Sequence, residues 1–336
     1  MAPHFDPPMW EQRRICIANT LYAHNVQSVL EVGCGEGNIL SFLVSPSPND
    51  HHPITHLTGL DISSSALNLA SQALRPTLQD TRDLRTDPLR ITLLLGDATT
   101  APLGEDFDAD AVVCSEVIEH VHEAQVDALT AAIFAIAPRL VIVTTPNTEF
   151  NANFAGLNYG TPAARLRDAD HKFEWTRMQF EQWAHAAAEA FAYSLEVRAI
   201  GLRMRGASEG FIACGGCSQM AVFVRRPEAR RRSQREAGAG GPAVVARFEY
   251  PVFEGPRLSG AELAGLVREM AQMVSDCESA CFGFESLWDV LEVKQQFGRR
   301  SALAAWLDAG RGGIFAVASS AGDSAAGRRY RIGSCS

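Results

Sequence analysis

The 336 residues carry a formal net charge of −9, with 46% hydrophobic and 21% charged residues, which suits a globular domain of roughly 200 residues plus an appendage. No apolar run reaches the ~18 residues of a membrane span, and the opening MAPHFDPPMWEQRR lacks the apolar core of a secretory signal. The acidic balance does not advertise nucleic-acid binding, and eight cysteines without a framework spacing read as free thiols in a reducing compartment.

Residues 1–27 open with FDPP (Phe5 to Pro8), whose prolines can start a helix but not continue one. WEQRRICIANTLYAHN follows as an amphipathic helix with Ile15, Ile17 and Leu21 available for packing. Residues 28–37, SVLEVGCGEG, run a short strand (Val29 to Val32) into a glycine turn (Gly33, Gly35, Gly37), with a helix from about Asn38. Glycines let a backbone approach a ligand closely, and a helix start offers free N–H groups. The spacing is GxGxG, not the GxGxxG of dinucleotide enzymes, and taken alone it equally suits a plain tight turn. Glu31 is an acid at the end of this strand. SPSPNDHHP (45–53) reads as a surface loop, and His51, His52 and His56 lack the Cys or acid that would complete a metal set.

The second strand, ITHLTGLD, ends at Asp61, where an acid can hydrogen-bond a cofactor ribose. Ser63 caps the next helix, and RITLLLGDA is a third strand with Asp97 at its carboxyl end. Glu31, Asp61 and Asp97 therefore close three strands at one crevice, the place where open α/β sheets bind ligands. Strand four, ADAVVC, delivers CSEVIEH (Cys114 to His120) to the same edge. Glu116, Glu119 and His120 stand at i, i+3 and i+4, so a helical turn starting there would put them on one face. Two carboxylates and an imidazole make a candidate divalent-metal site. The same residues also suit a solvated first helical turn, where acids complement the dipole.

A helix over about Ala124–Ile136 and strand five, PRLVIVTTPN, come next. Residues 148–175 lack periodicity and carry DADHKFEW with His171; loops this long are functional or disordered. TRMQFEQWAHAAAEAF is a helix beginning near Thr176, and YSLEVRAIGL and SQMAVFVRR are two last strands. The alternation predicts a doubly wound, mostly parallel sheet with an antiparallel edge. Arg225 to Arg235 then holds six arginines and one glutamate, as a solvated linker or an RNA-contacting tail. The segment 226–243 is a linker by composition, and from Val244 the chain recovers hydrophobicity as a small accessory domain or tail, with Ser319 to Arg328 a loop. Cys214 and Cys217 (CGGC), with Cys277 and Cys281, are expected to be free, since zinc would need all four together.

EVGCGEG, GLDIS, SEVIEH, LVIVTTPNTEFN and DHKFEWTRMQFEQWA, in this order, resemble the small RNA 2′-O-methyltransferases, the HUA-enhancer family that methylates 3′ ends of plant microRNAs and animal piwi-interacting RNAs. The resemblance covers roughly residues 5–225. EVIEH, TPNTEFN and HKFEWTR discriminate far more than the glycine motif, which all class I methyltransferases share, and FDPP is similar to the family's FxPP element.

The resemblance implies a Rossmann-like class I S-adenosylmethionine-dependent methyltransferase, with a seven-stranded mostly parallel sheet over residues 28–225 and a C-terminal extension over 244–336. It implies S-adenosylmethionine as donor, bound by Glu31, Gly33, Gly35, Gly37, Asp61, Asp97 and Ser115. It also implies Mg²⁺, or Mn²⁺ or Co²⁺, held by a catalytic set of Glu116, Glu119, His120 and His171. Two imidazoles make the softer ions at least as suitable as Mg²⁺. The chain has no room for the duplex-binding modules of plant members. It resembles the short animal or fungal form, whose substrates are single-stranded small RNA 3′ ends presented by Argonaute- or Piwi-type proteins. A cytoplasmic monomer without membrane association is the accompanying expectation. Two alternatives share these features: a class I enzyme acting on a catechol- or quinone-type hydroxyl, and a non-catalytic RNA-binding scaffold.

Overall fold

Alternating apolar runs and amphipathic stretches fold as layered α/β structure in the computed structural model, which describes residues 4–45, 54–82, 85–100, 103, 109–202, 214–227, 241–255, 258–275, 281–298, 300–316 and 329–332. In chain order, α1 (Met9–Ala23) precedes β1 (Ser28–Val32), α2 (Asn38–Val44), β2 (His56–Asp61), α3 (Ser64–Ala73), α4 (Leu78–Arg82), β3 (Arg90–Leu95) and β4 (Ala111–Ser115). A 3₁₀ turn at Ile118–His120 leads to α5 (Glu123–Ala135) and β5 (Leu140–Pro146). Two more such turns, Thr148–Asn153 and Ala155–Leu157, precede α6 (Arg177–Phe191), β6 (Tyr193–Ile200) and β7 (Ser218–Arg225). Then come β8 (Ala243–Glu249), α7 (Gly260–Val274), β9 (Cys281–Gly283), α8 (Phe284–Trp288), α9 (Leu291–Phe297), α10 (Arg300–Asp308), β10 (Ile314–Ala316) and β11 (Arg329–Ile332).

The main sheet runs β6-β7-β5-β4-β1-β2-β3-β8. β1 is parallel to β2 and β4, and β3 and β5 extend the sheet in the same sense. β7 lies antiparallel to β5, and β6 antiparallel to β7. Both faces of a parallel sheet are covered by helices, so its strands are apolar throughout; Val112, Val113 and Cys114 of β4 are each 0% exposed. The register sets Val32 opposite Leu60 and Cys114, so the segments after β1, β2 and β4 leave the sheet at one edge. That edge, where the strand order reverses, is the ligand crevice of doubly wound folds.

The sheet has eight strands among the described residues, one more than expected. The accessory segment was expected to open at Val244; residues 243–249 form β8, which extends the sheet beyond β3. A Cβ on Gly96, just after β3, would lie 2.9 Å from Cβ of Pro242, so the approach to β8 is packed closely there. The chain divides into two compact units, one of residues 1–46, 51–75 and 89–248, the other of the remainder. The second unit includes 76–88, expected within the sheet domain, because Arg85 pairs with the tail: its N–H donates to Pro251 O and its carbonyl accepts from Phe253 N–H. It contains a three-stranded sheet, β10-β11-β9, over a core of Val267, Leu287, Leu303, Trp306 and Tyr330. His51, His52, Cys277, residues 228–235 of the arginine-rich run and the expected loop at 319–328 lie outside the described residues. Among the described residues, no helix is long and apolar enough to cross a membrane.

α6 begins where expected, with Thr176 accepting from the Gln179 N–H and the Gln179 side chain answering the Thr176 N–H, a reciprocal cap. Beneath it Phe134 meets Phe191 (4.7 Å between centroids), Tyr193 (5.0 Å) and Phe223 (5.1 Å). Phe134→Ala would empty the centre of this cluster and should lower unfolding free energy by about 3–5 kcal/mol, read from a urea titration.

Candidate active site

β1 delivers Gly33 to the crevice with φ +73, and Cβ of any other residue there would lie 2.3 Å from Cγ2 of Val117. The Gly33 N–H donates to Leu60 O at 2.8 Å, so the turns after β1, β2 and β4 meet at this residue. Gly35, at φ +52, has nothing within 4 Å of a built Cβ: its backbone faces open space. The carboxylate of Asp61 organises the loop, accepting from Gly35 N–H (2.8 Å) and from Ser63 N–H (2.8 Å). Gly37 directly precedes α2. Asp97 closes β3 and takes the Thr99 N–H (2.8 Å) and hydroxyl (2.7 Å) on one oxygen.

Glu31 is 3% exposed, and among the described residues its Oε2 has no hydrogen-bond partner. Burial, and to a lesser extent the charge of Asp61, pushes its carboxyl well above the usual range, against the lowering influence of the Leu40 N–H. A buried orphan carboxylate beside an open glycine loop fits a ligand that brings a positive charge.

The turn after β4 departs from expectation. No helix starts at Glu116, whose φ of +54 takes the chain out of helical geometry; a 3₁₀ turn forms two residues later, over Ile118–His120. Glu119 is 1% exposed while His120 faces outward. The metal-type cluster forms because the 148–175 segment folds back: the Lys172 N–H donates to Glu119 O at 2.7 Å and brings His171 alongside. Candidate ligand atoms of Glu119, His120 and His171 lie within 4.8 Å of one another. The two imidazole rings meet edge to face, 4.8 Å between centroids.

Glu116 is not in that group of three. Its carboxylate accepts from Arg13 Nη1 of α1 at 2.7 Å and from the Thr144 hydroxyl at 3.0 Å. Since a carboxylate only accepts, the single Thr144 proton goes to Glu116, and Ser115 Oγ donates to Thr144 at 2.8 Å. Ser115 is thus held by a relay anchored on Arg13. Among the described residues, the side-chain partner of the Glu119 carboxylate is the Thr145 hydroxyl, at 3.0 Å. Burial first, then the charge of Glu116, pushes Glu119 well above the usual carboxyl range. Loss of water, then neighbouring His171, holds the His120 imidazole below its ordinary range, which favours the neutral, ligating form.

Sequence reasoning missed Arg13, Thr144 and Thr145, and also Glu174, Asn151 and Arg167, which hold His171. His171 Nδ1 is 2.6 Å from Glu174 Oε1, and Asn151 Nδ2 donates to Glu174 Oε2 at 2.6 Å. Arg167 donates from Nη2 to Asn151 Oδ1 (2.7 Å) and to Asn147 O (2.8 Å). The only available signal was proximity to His171 in HKFEW. Phe5 of FDPP packs with Phe150, Phe154, Cys214 and Cys217, which are free thiols.

Sheet order, glycine loop and strand-end acids define a class I S-adenosylmethionine-dependent methyltransferase fold. A family model described as a methyltransferase domain matches residues 30–139. A small RNA 2′-O-methyltransferase of Schizosaccharomyces pombe is 35% identical over 65% of this chain and 61% of its own length. Its namesake in Gallus gallus is 32% identical over 69% of this chain and 58% of its own. The crystal structure of small RNA methyltransferase HEN1 superposes with a TM-score of 0.56 at 28% identity, covering 75% of this chain and 29% of that one. The chain is similar to these small RNA 2′-O-methyltransferases and spans about three fifths of the length of the curated relatives it matches.

Two predictions follow from the crevice. Gly33→Ala meets both a left-handed backbone and Val117, and should destabilise by about 2–4 kcal/mol; Gly35→Ala meets only the backbone penalty, about 1–2 kcal/mol. Denaturant titrations of the two variants should show that order. Glu31→Gln removes a buried carboxyl that binds its proton more tightly folded than unfolded. The folded state therefore loses stability as pH climbs from the ordinary 4.5 through the raised native value. Without cofactor, the variant should melt higher than the parent at pH 7 to 8, with the gap closing near pH 4; equal melting points throughout would refute the assignment.

Proposed function

We propose that this chain transfers a methyl group from S-adenosylmethionine to the 2′-hydroxyl of the 3′-terminal ribose of a small single-stranded RNA, with a divalent cation in its site, in the service of RNA silencing. The observation that carries this reading is the convergence of Glu119, His120 and His171 beside a glycine loop, in a chain whose relatives bear the name small RNA 2′-O-methyltransferase. The Gly33, Gly35, Gly37 loop lies against the cofactor's amino-acid end, and the orphan Oε2 of Glu31 answers its ammonium. Each oxygen of Asp61 keeps acceptor capacity beyond its one N–H, enough for ribose hydroxyls. Asp97 stands toward the adenine, and Ser115 borders the cofactor from the end of β4.

Glu119, His120 and His171 would hold the cation, with Glu116 adjacent; one carboxylate with two imidazoles suits Mn²⁺ or Co²⁺ at least as well as Mg²⁺. A bound divalent ion supplies Lewis acidity and orientation to the terminal ribose diol. The turn after β4 and the His171 segment fix where that ribose sits, and Gly33, packed on Val117, sets the glycine loop against the same turn. A requirement for vicinal hydroxyls selects RNA over DNA and excludes 3′-phosphorylated ends. On the resemblance to short animal and fungal members, we assign an Argonaute- or Piwi-type protein in the cytoplasm as the partner that presents the RNA end.

The test is transfer of labelled methyl to a ~25-nucleotide single-stranded RNA, a length suited to single-strand recognition, with a 2′,3′-diol or a 2′-deoxy end. Label is expected on the diol end alone and is lost with chelator. Glu119→Ala should abolish transfer while calorimetric cofactor affinity stays unchanged. Full activity of Glu119→Ala, or label on a catechol and not on RNA, would sink the reading.

A further inference from the structure

Glu174 has a wholly buried side chain in the 148–175 segment. Among the described residues, two N–H donors face its carboxylate, the Arg167 N–H (2.5 Å) on Oε1 and Asn151 Nδ2 (2.6 Å) on Oε2, and His171 Nδ1 lies 2.6 Å from Oε1. That arrangement suits a carboxylate and not an amide, since an NH₂ group placed there would oppose a donor. The same geometry decides the proton on His171. Nδ1 must donate to Glu174, so a neutral ring carries its lone pair on Nε2. Asn151 and Arg167 lock the carboxylate in turn, with Arg167 pinned to Asn147 O and to Cys217 O (2.9 Å) at the end of β5 and the start of β7.

We propose that Glu174 is a positioning residue for divalent-cation binding: it fixes the His171 tautomer and ring orientation and makes Nε2 a stronger ligand. The inference rests on the metal reading above. A carboxylate behind a ligating imidazole raises the ligand's basicity, and removing such a partner weakens metal affinity by about 10–100-fold. A residue serving only to pack the loop would leave that affinity unchanged once the protein is folded.

The experiment is a Mn²⁺ titration of native protein and Glu174→Gln, following unbound Mn²⁺ by electron paramagnetic resonance, with S-adenosylmethionine affinity measured by calorimetry on both. The variant should bind Mn²⁺ about 10–100-fold more weakly and the cofactor equally. Equal Mn²⁺ affinity overturns the role of Glu174 alone. Absence of Mn²⁺ binding to the native protein overturns the metal reading and this inference with it. Should Glu174→Gln fail to fold, the ¹⁵N imidazole spectrum of the native, metal-free protein decides, with the His171 signal assigned by its loss in His171→Gln. A proton on Nδ1 is expected, and a proton on Nε2 alone overturns the proposal.

Discussion

The contact between Gly33 and Val117 is the constraint on which the rest of the site depends. A Cβ at position 33 would sit 2.3 Å from a Val117 methyl, so the loop after β1 packs its bare backbone against the Val117 side chain of the turn after β4. Gly33 N–H also binds Leu60 O at the end of β2. Three neighbouring parallel strands thus hand their terminal residues to one another through backbone and one valine. Rigid strand ends place short turns more accurately than free loops could. Two residues past Val117 stands Glu119; two residues past Gly33 stands Gly35, whose backbone faces open space. The open glycine loop and the Glu119 turn are therefore linked by a single packed contact.

Two buried carboxyls, Glu31 and Glu119, raise the energy of the ligand-free fold. Each is displaced toward its neutral form mainly by burial; among the described residues neither carboxylate is bonded to a guanidinium or ammonium, though the charge of Arg13 partly offsets the shift at Glu119. Removing an acid from water without a counter-charge costs several kcal/mol unless it protonates. A positively charged group beside either carboxyl would offset that cost. The sheet edge therefore carries two buried carboxyls that cost the ligand-free fold stability, as functional sites often do.

How far this was legible in sequence differs from element to element. β4 and β5 announce themselves as uninterrupted apolar runs because they are buried on both faces, and Thr176 with Gln179 spells out the start of α6. The strand-end acids Glu31, Asp61 and Asp97 were found by position alone. β8 was read as part of the C-terminal segment because a long Gly- and Arg-rich stretch precedes it, and its residues are largely exposed, so nothing in its pattern names β3 as its neighbour. The excursion 76–88 was hidden for a related reason: Arg85 is held by backbone pairing to residues far along the chain, which leaves no periodic trace. Helical spacing brought Glu116, Glu119 and His120 together for a reason that the φ of Glu116 removes. The cluster of Glu119, His120 and His171 came instead from the resemblance, while Glu174 stayed hidden within an aperiodic loop.

The two acids of the β4 turn are not equivalent, and their surroundings say how they divide the work. Glu116 is already compensated: Arg13 and Thr144 occupy both its oxygens, and Arg13 also donates to Ser218 Oγ at 3.1 Å, tying α1 to β7. Its negative charge nonetheless reaches Glu119 and disfavours ionisation there. Glu119, with one hydroxyl partner and almost no exposure, is the acid that gains most from a cation. A cation at Glu119 would also be drawn toward Glu116 and would compete with Arg13 for it, since opposite charges within a few ångströms in a half-buried site interact far more strongly than in water. Arg13 thus already supplies a positive charge beside the turn, from α1, the helix that directly follows FDPP.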